Sequence, residues 1–358
     1  MQALILAGGE GTRLRPLTTT VPKPVVPLVN RPFITYMLDW LGRHGFDDIV
    51  MSCGFLADGV RQVLGSGERN GFRIRYVDEL QPLGTAGAVK LAEPLLEERF
   101  AVLNGDILTD LDLSAVRDFH ERRGASATLT LVGVDDPSSY GLVLIEDDGR
   151  VAAFIEKPED KPPTNLINAG IYMLERSVLD HVASGRAVSF EREVFPALVD
   201  KGLHGLPLQG YWLDIGTPER YLQATRDILS GAVKTAVTES LGPGSVYVGP
   251  GSTVDPEAHL TGPAVVGSSC DLAAGTELGP GTALGDGCRV ARGAVVRDAA
   301  LHDRVVVEEG AFVTNSIVGA GARLGAGCRL EEETIVGEGA TVGPHATLRA
   351  GRVEPAGT

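Results

Sequence analysis

The sequence predicts an α/β sheet domain followed by a left-handed parallel β-helix. Three observations carry this. Short apolar runs alternate with helical patterns over residues 1–230, a glycine-rich turn follows the first run directly, and from Gly242 onward an aliphatic residue recurs at every sixth position.

The apolar runs lie at 3–6, 49–51, 73–77, 101–103 and 127–132, with helical patterns between them at 34–44, 57–64, 86–96 and 113–122. Strand and helix in repeated alternation imply βαβ units, hence a largely parallel, Rossmann-like sheet. After Tyr140 the rhythm changes. Residues 142–157 read as a hairpin with Asp148 and Gly149 as its turn pair. Residues 189–199 read as a helix with Phe190, Val194, Phe195 and Leu198 on one face. Strand-like pieces follow near Leu206 and Trp212. A last helix over 218–229 starts with Thr217 as N-cap and Pro218 in the first turn.

The repeat places Val248, Val254, Leu260, Val266, Leu272, Leu278, Leu284, Val290 and Val296 six apart, with small residues four positions on (Ser252, Ala258, Ala264, Cys270, Thr276). The series resumes at Val306 and Phe312 and runs through Val318 to Leu348, and the ten-residue step implies a four-residue bulge near 299–303 that includes His302. On that register Cys270, Cys288 and Cys328 share one column of the coil. The expected division is a catalytic domain at 1–230, a linker at 231–243 and a β-helix at 244–358.

The 358 residues carry a net charge of −15, which argues against nucleic acid or an anionic membrane as a partner. Four cysteines (Cys53, Cys270, Cys288, Cys328) are too few for a disulfide framework. No leader pattern and no apolar run of membrane-spanning length is present, so a cytoplasmic location is expected.

The chemistry concentrates at residues 4–23, LILAGGEGTRLRPLTTTVPK. Gly8, Gly9 and Gly11 let bare N–H groups approach an anion. Arg13, Arg15 and Lys23 supply fixed cations. The dinucleotide fingerprint fails because Leu14 stands where its third glycine belongs, and no lysine follows the glycines as a P-loop requires. The arrangement suits a nucleoside triphosphate. Asp106 follows the 101–103 strand and Asp214 follows Trp212 and Leu213. An aspartate at a buried strand end needs a compensating cation, and Mg²⁺ takes few carboxylates beside phosphate oxygens and water. Because parallel sheets bind ligands beyond their strands' carboxyl ends, the 7–13 loop and Asn104, Gly105 and Asp106 fall on one rim. Asp110 and Asp112 read as turn or cap residues.

GGEGTRLRPLT with Pro22-Lys23-Pro24, PLGTAGA (82–88), LNGDI (103–107), IEKP (155–158), INAGIY (167–172) and WLDIGTPERY (212–221) occur in the order and spacing of a known family. The chain resembles the sugar-1-phosphate nucleotidyltransferases, or NDP-sugar pyrophosphorylases, and within them the mannose-1-phosphate guanylyltransferase subfamily. The resemblance implies attack of a sugar 1-phosphate on the α-phosphorus of a nucleoside triphosphate, giving NDP-sugar and pyrophosphate, with Mg²⁺ as cofactor. It implies Arg13, Lys23, Asp106, Lys157 and Asp214 as catalytic residues, with Asp106 and Asp214 holding the metal. It places the nucleotide against Leu6, Ala7, Gly8, Gly9, Gly11, Thr12, Arg13, Glu79, Pro82, Gly84 and Thr85. The sugar phosphate falls to Gly105, Gly141, Glu156, Lys157 and Asn168. A carboxylate at Glu79 can accept both N1–H and N2–H₂ of guanine, where relatives selective for thymidine carry Gln, so GTP is favoured over UTP or dTTP. A thymidylyl- or uridylyltransferase acting on glucose 1-phosphate is the alternative. A non-catalytic regulatory subunit of the same architecture is a further one, disfavoured because the cations and aspartates are intact. Hexapeptide acyltransferases use a histidine, so His302 raises a minor second activity. The β-helix suits homo-oligomer assembly.

Overall fold

The computed structural model describes residues 1–68, 71–137, 140–156, 162–242 and 244–355. They form two compact units, Met1–Gly9 with Met37–Trp212, and Glu10–Tyr36 with Leu213–Thr358.

In the first unit, strand Gln2–Ala7 runs parallel to both Asp48–Cys53 and Arg99–Asn104, and Asp48–Cys53 runs parallel to Arg73–Asp78. These are the predicted apolar runs, and buried parallel strands need no polar face. Antiparallel strands complete the other half: Leu166–Glu175 lies between Arg99–Asn104 and Gly141–Ile145, and Val151–Glu156 forms the edge. The hairpin turn falls at Asp148 and Gly149, with Gly149 at φ 86°. The sheet is thus mixed, and the fifth predicted run is not part of its parallel half: Ala127–Gly133 pairs antiparallel with Leu166–Glu175 and parallel with Leu203–Pro207. Tyr172, Phe190 and Phe195 pack ring on ring in the core, with Phe190 and Phe195 stacked at 5.1 Å. The 189–199 stretch is less regular than expected: a π-helical turn at Phe190–Val194 followed by a short α-turn at Phe195–Ala197.

In the second unit, helix Pro218–Ser230 begins as predicted, with the Thr217 hydroxyl accepting from the Arg220 N–H. The 231–243 stretch contains a short helix, Ala236–Leu241, capped by Thr235. The repeat forms a parallel β-helix in which strand pairs recur one coil apart, Thr253–Val254 on Asp271–Leu272 on Arg289–Val290. The coil register departs from the expected one. Leu278 pairs with Val296, eighteen on, but Leu284 pairs with Leu301 and Val296 with Val313, seventeen on. There is no four-residue bulge. Two successive coils are each one residue short, at corners taken by Asp298 (φ 47°) and Asn315 (φ 41°), residue types that tolerate the left-handed region. Val307 and Val313 therefore point inward and are fully buried, where Val306 and Phe312 were expected. The doublets Val306-Val307 and Phe312-Val313 satisfy either phase, so apolar spacing alone could not choose. Cys270 and Cys288 do stack, but Cys328 joins a different column, beneath Ala311. All four cysteines are reduced and buried.

His302 therefore lies in no bulge and directly follows the strand Val295–Leu301. It is 8 % exposed, and its Nε2 lies 3.1 Å from the Tyr221 hydroxyl. Burial pushes it down to about 4, and burial also lowers His120, against the opposing pull of Glu175. Below the ordinary imidazole value of 6.5 the unfolded chain takes up protons that the folded chain refuses until about pH 4. Stability should therefore fall as pH drops through this window, by up to about 3 kcal/mol from His302 alone. Urea midpoints at pH 7 and pH 5 check this, and His302→Gln should show a smaller drop.

Candidate active site

Three glycine-bearing turns and Glu79 meet at the carboxyl ends of the parallel strands in the first unit. Ala7, Cys53 and Asp78 are in register, so Gly8, Gly54 and Glu79 follow side by side. A Cβ on Gly54 would stand 2.8 Å from the Gly8 carbonyl oxygen, and one on Gly8 would stand 2.7 Å from Glu79 Oε1. Close approach to backbone, rather than a left-handed φ, is what requires glycine at Gly54, while at Gly8 the near atom is a side-chain tip. Glu79 is half-buried and its Oε1 accepts from the Ser52 hydroxyl at 2.9 Å. On the neighbouring strand Gly105 donates its N–H to the Leu6 carbonyl at 2.9 Å, and a Cβ there would meet that same oxygen at 2.6 Å. Asp106 follows, half-buried. Gly105→Ala should cost about 1–3 kcal/mol by overpacking against backbone. Gly9→Ala should be tolerated, because nothing lies within 4 Å of its Cβ position. Thermal midpoints of the two variants test the contrast.

The cationic residues belong to the second unit. Gly11, at φ 63°, opens a 3₁₀ turn over Thr12–Leu14, and its carbonyl accepts from the Thr18 hydroxyl at 2.8 Å. A Cβ on Gly11 would sit 3.2 Å from Lys23 Cβ, which places Lys23 against the glycine turn. Gly216 lies between Arg13 and Asp214: its Cβ position is 2.5 Å from an Arg13 Nη and 3.0 Å from Asp214 Oδ1. Asp214 is 21 % exposed, is ion-paired with Arg220, and accepts from the Gly216 N–H at 3.2 Å. Arg15 instead forms an exposed ion pair with Glu10. Asp112 caps the helix Leu113–Arg123, and Asp110 accepts from the Tyr211 N–H.

A cavity of about 930 Å³ opens in the first unit, lined by Gly84, Thr85, Asn104, Gly141 and Asn168 among others. Strand pairing explains the gathering: Gly141 faces Glu156, and Leu142 faces Ile167. Gly170, at φ 68°, carries no Cβ where Asn104 Nδ2 comes within 2.4 Å of that position. Lys157 lies outside the described residues. Sequence reasoning missed Ser189, Glu191 and Arg192, which also line the cavity. They fall between the apolar positions of the 189–199 stretch, where spacing gives no sign of a site; Ser189 and Glu191 are half-buried at the cavity, and Arg192 stays exposed.

No group of three or more potential metal ligands occurs among the described residues. A half-buried aspartate supplying one or two hard oxygens fits Mg²⁺, which keeps waters and phosphate oxygens as its other ligands, and does not fit a cation needing a full protein cage. No helix among the described residues is long and apolar enough to cross a membrane.

Residues 2–231 match the family described as nucleotidyl transferase. The chain belongs to that family. Residues 243–358 match the GMPPB C-terminal domain. A mannose-1-phosphate guanylyltransferase of Mycobacterium tuberculosis is 40 % identical over 280 residues, 77 % of each chain. One from Aspergillus fumigatus is 41 % identical over 269 residues, 73 % of each. A UTP–glucose-1-phosphate uridylyltransferase of Synechocystis is 33 % identical over 312 residues, 77 % of this chain and 80 % of that one. Among solved structures, HddC of Yersinia pseudotuberculosis complexed with GMP-PN aligns with a TM-score of 0.53 at 30 % identity, covering 62 % of this chain and 97 % of that one.

Proposed function

We propose that this nucleotidyltransferase transfers a guanylyl group from GTP to mannose 1-phosphate, releasing GDP-mannose and pyrophosphate. The observation that carries the base assignment is Glu79, a carboxylate held by Ser52 at the rim beside Gly8, where it can accept two donors from one edge of guanine. The guanylyltransferase relatives support the same base. Gly8, Gly9, Gly11 and Thr12 receive the triphosphate with Arg13 and Lys23. Leu6, Ala7, Pro82, Gly84 and Thr85 flank the nucleoside. Gly105, Gly141, Glu156, Lys157 and Asn168 hold the sugar 1-phosphate at the cavity. Asp106 and Asp214 would hold Mg²⁺, which when bound neutralises phosphate charge.

The sugar phosphate is already an anionic nucleophile, so no protein base is required. The chain's part is alignment and charge neutralisation. Arg13 and Lys23 stabilise the charge that grows on the departing pyrophosphate. Residues 1–230 form the catalytic domain, 231–243 the connection and 244–358 the β-helix, which serves homo-oligomer assembly in the cytoplasm. The uridylyltransferase relative keeps UTP with glucose 1-phosphate as the second reading. Pyrophosphate release from GTP, ATP, UTP and dTTP, each with mannose 1-phosphate and glucose 1-phosphate, decides. The GTP–mannose pair should give the highest kcat/KM, and a higher value for any other pair overturns the assignment.

A further inference from the structure

The cavity wall carries a hydrogen-bond network centred on Glu191. Its Oε2 accepts from the hydroxyls of Thr85 at 2.8 Å and Ser189 at 2.6 Å, and its Oε1 accepts from the Tyr172 hydroxyl at 2.9 Å. Each hydroxyl is pinned from its other side. The Thr85 oxygen accepts from the Phe190 N–H at 2.9 Å, and the Ser189 oxygen from the Arg192 N–H at 3.3 Å. The Tyr172 oxygen accepts from Asn168 Nδ2 at 2.9 Å, while Asn168 Oδ1 accepts from the Gly170 N–H at 2.9 Å.

The polarity of the network follows from chemistry. Backbone N–H groups can only donate and an ionised carboxylate can only accept. Every rotor between them is therefore fixed. Tyr172 must give its proton to Glu191. Its oxygen must then accept from the Asn168 amide, which cannot flip because Gly170 N–H holds its carbonyl oxygen. Asn168 is left with one N–H to offer, and Tyr172 with none. Tyr172 is fully buried, and burial together with the Glu191 charge raises its hydroxyl far above the ordinary value, so that proton stays in place.

We propose that Glu191 is a positioning residue: by taking the Tyr172 proton, its carboxylate keeps the Tyr172 oxygen an acceptor and so holds the Asn168 amide, already oriented by Gly170, where its remaining N–H meets an acceptor oxygen of the sugar 1-phosphate. This rests on the reading of the cavity as the sugar phosphate's seat. Glu191 acts on the substrate through Asn168 and does not bind it.

Glu191→Gln keeps the shape and removes the fixed polarity, because a glutamine N–H₂ aimed at any of the three hydroxyls forces that hydroxyl to turn. The expected result is a rise of about tenfold in KM for the sugar 1-phosphate, the loss of roughly one oriented hydrogen bond, with a clearly smaller change in the KM for the nucleotide, which Glu191 reaches only through Thr85. Tyr172→Phe, which cuts the relay but leaves the Thr85 and Ser189 bonds, should give the same split. The double variant should be no worse than either single one, since both break one chain. Glu191→Gln with an unaltered sugar-phosphate KM overturns the proposal. So do additive effects in the double variant, which would mean that Glu191 touches the sugar itself, and so does an equal rise in both KM values, the mark of a merely structural role. The measurement uses whichever sugar 1-phosphate the wild-type protein turns over, so a preference for glucose 1-phosphate would overturn the substrate assignment and leave the relay to be judged on that sugar.

Discussion

Asp106→Asn and Asp214→Asn should each lower turnover by about 10²–10³-fold, the usual loss when one preorganised charge is removed from a transition state, while leaving the fold intact. Asparagine keeps the shape and one carbonyl oxygen but loses the negative charge that makes a hard-cation ligand. At Asp214 the carboxylate is only 21 % exposed, and Arg220 with the Gly216 N–H offsets the cost of holding it there. Arg13 lies on the other side of Gly216, so this aspartate sits among the groups assigned to the triphosphate. Losing a partly exposed ion pair costs at most about 1 kcal/mol, so circular dichroism and thermal midpoints should stay near wild type. The assay is pyrophosphate release at saturating GTP, mannose 1-phosphate and Mg²⁺. Turnover within about threefold of wild type, well short of the expected loss, removes that residue from the metal site.

Local signals carried much of the architecture. Thr217 and Pro218 mark a helix start because a cap needs a hydroxyl and the first turn can spare an N–H, and the helix begins there. The hexads hold from Val254 to Val296 because each inward aliphatic faces the same narrow interior, whereas Val248 at the start of the series is exposed. Two kinds of information were not local. One is the phase of the repeat beyond Val296, hidden by adjacent apolar residues and set by Asp298 and Asn315 at the tightened corners. The other is Glu191, whose hydrogen-bond partners include Thr85, 106 positions away. No spacing rule links a charge in an irregular helix to the start of a helix so far back in the chain. The same holds for residues 10–36. Their motifs read as part of a domain over 1–230, yet they share a compact unit with the β-helix.

That last placement predicts that removing residues 243–358 will not leave an active catalytic domain. The strands Pro27–Leu28 and Arg31–Pro32 form a hairpin a few residues after Lys23, turned by Val29 at φ 44° and Asn30 at φ 61°. A β-branched residue in the left-handed region costs about 1–3 kcal/mol and persists only where its surroundings over-determine it. Here they do so through long-range bonds. Asn30 Nδ2 donates to the Leu284 carbonyl in the β-helix, Tyr36 donates to the Leu28 carbonyl at 2.8 Å, and the Tyr221 hydroxyl donates to the Pro27 carbonyl with His302 of the β-helix at its back. Helix Pro218–Ser230 is tied to the same coils by Arg226, which grips both oxygens of Asp298 at 3.0 and 3.1 Å. Deletion removes Leu284, Asp298 and His302 together and releases the segment bearing Arg13 and Lys23. Pyrophosphate release by the 1–242 chain should fall by about 10²-fold or more, the scale on which a misplaced charge-stabilising group acts, and a truncated chain with wild-type kcat would return the β-helix to a role in assembly alone. Tyr221→Phe separates anchoring from loss of mass. It leaves the Pro27 carbonyl and His302 Nε2 without their shared partner, a cost of about 1–3 kcal/mol, and kcat should fall while the KM for the sugar 1-phosphate, which we propose binds at the cavity of the first unit, stays where it was.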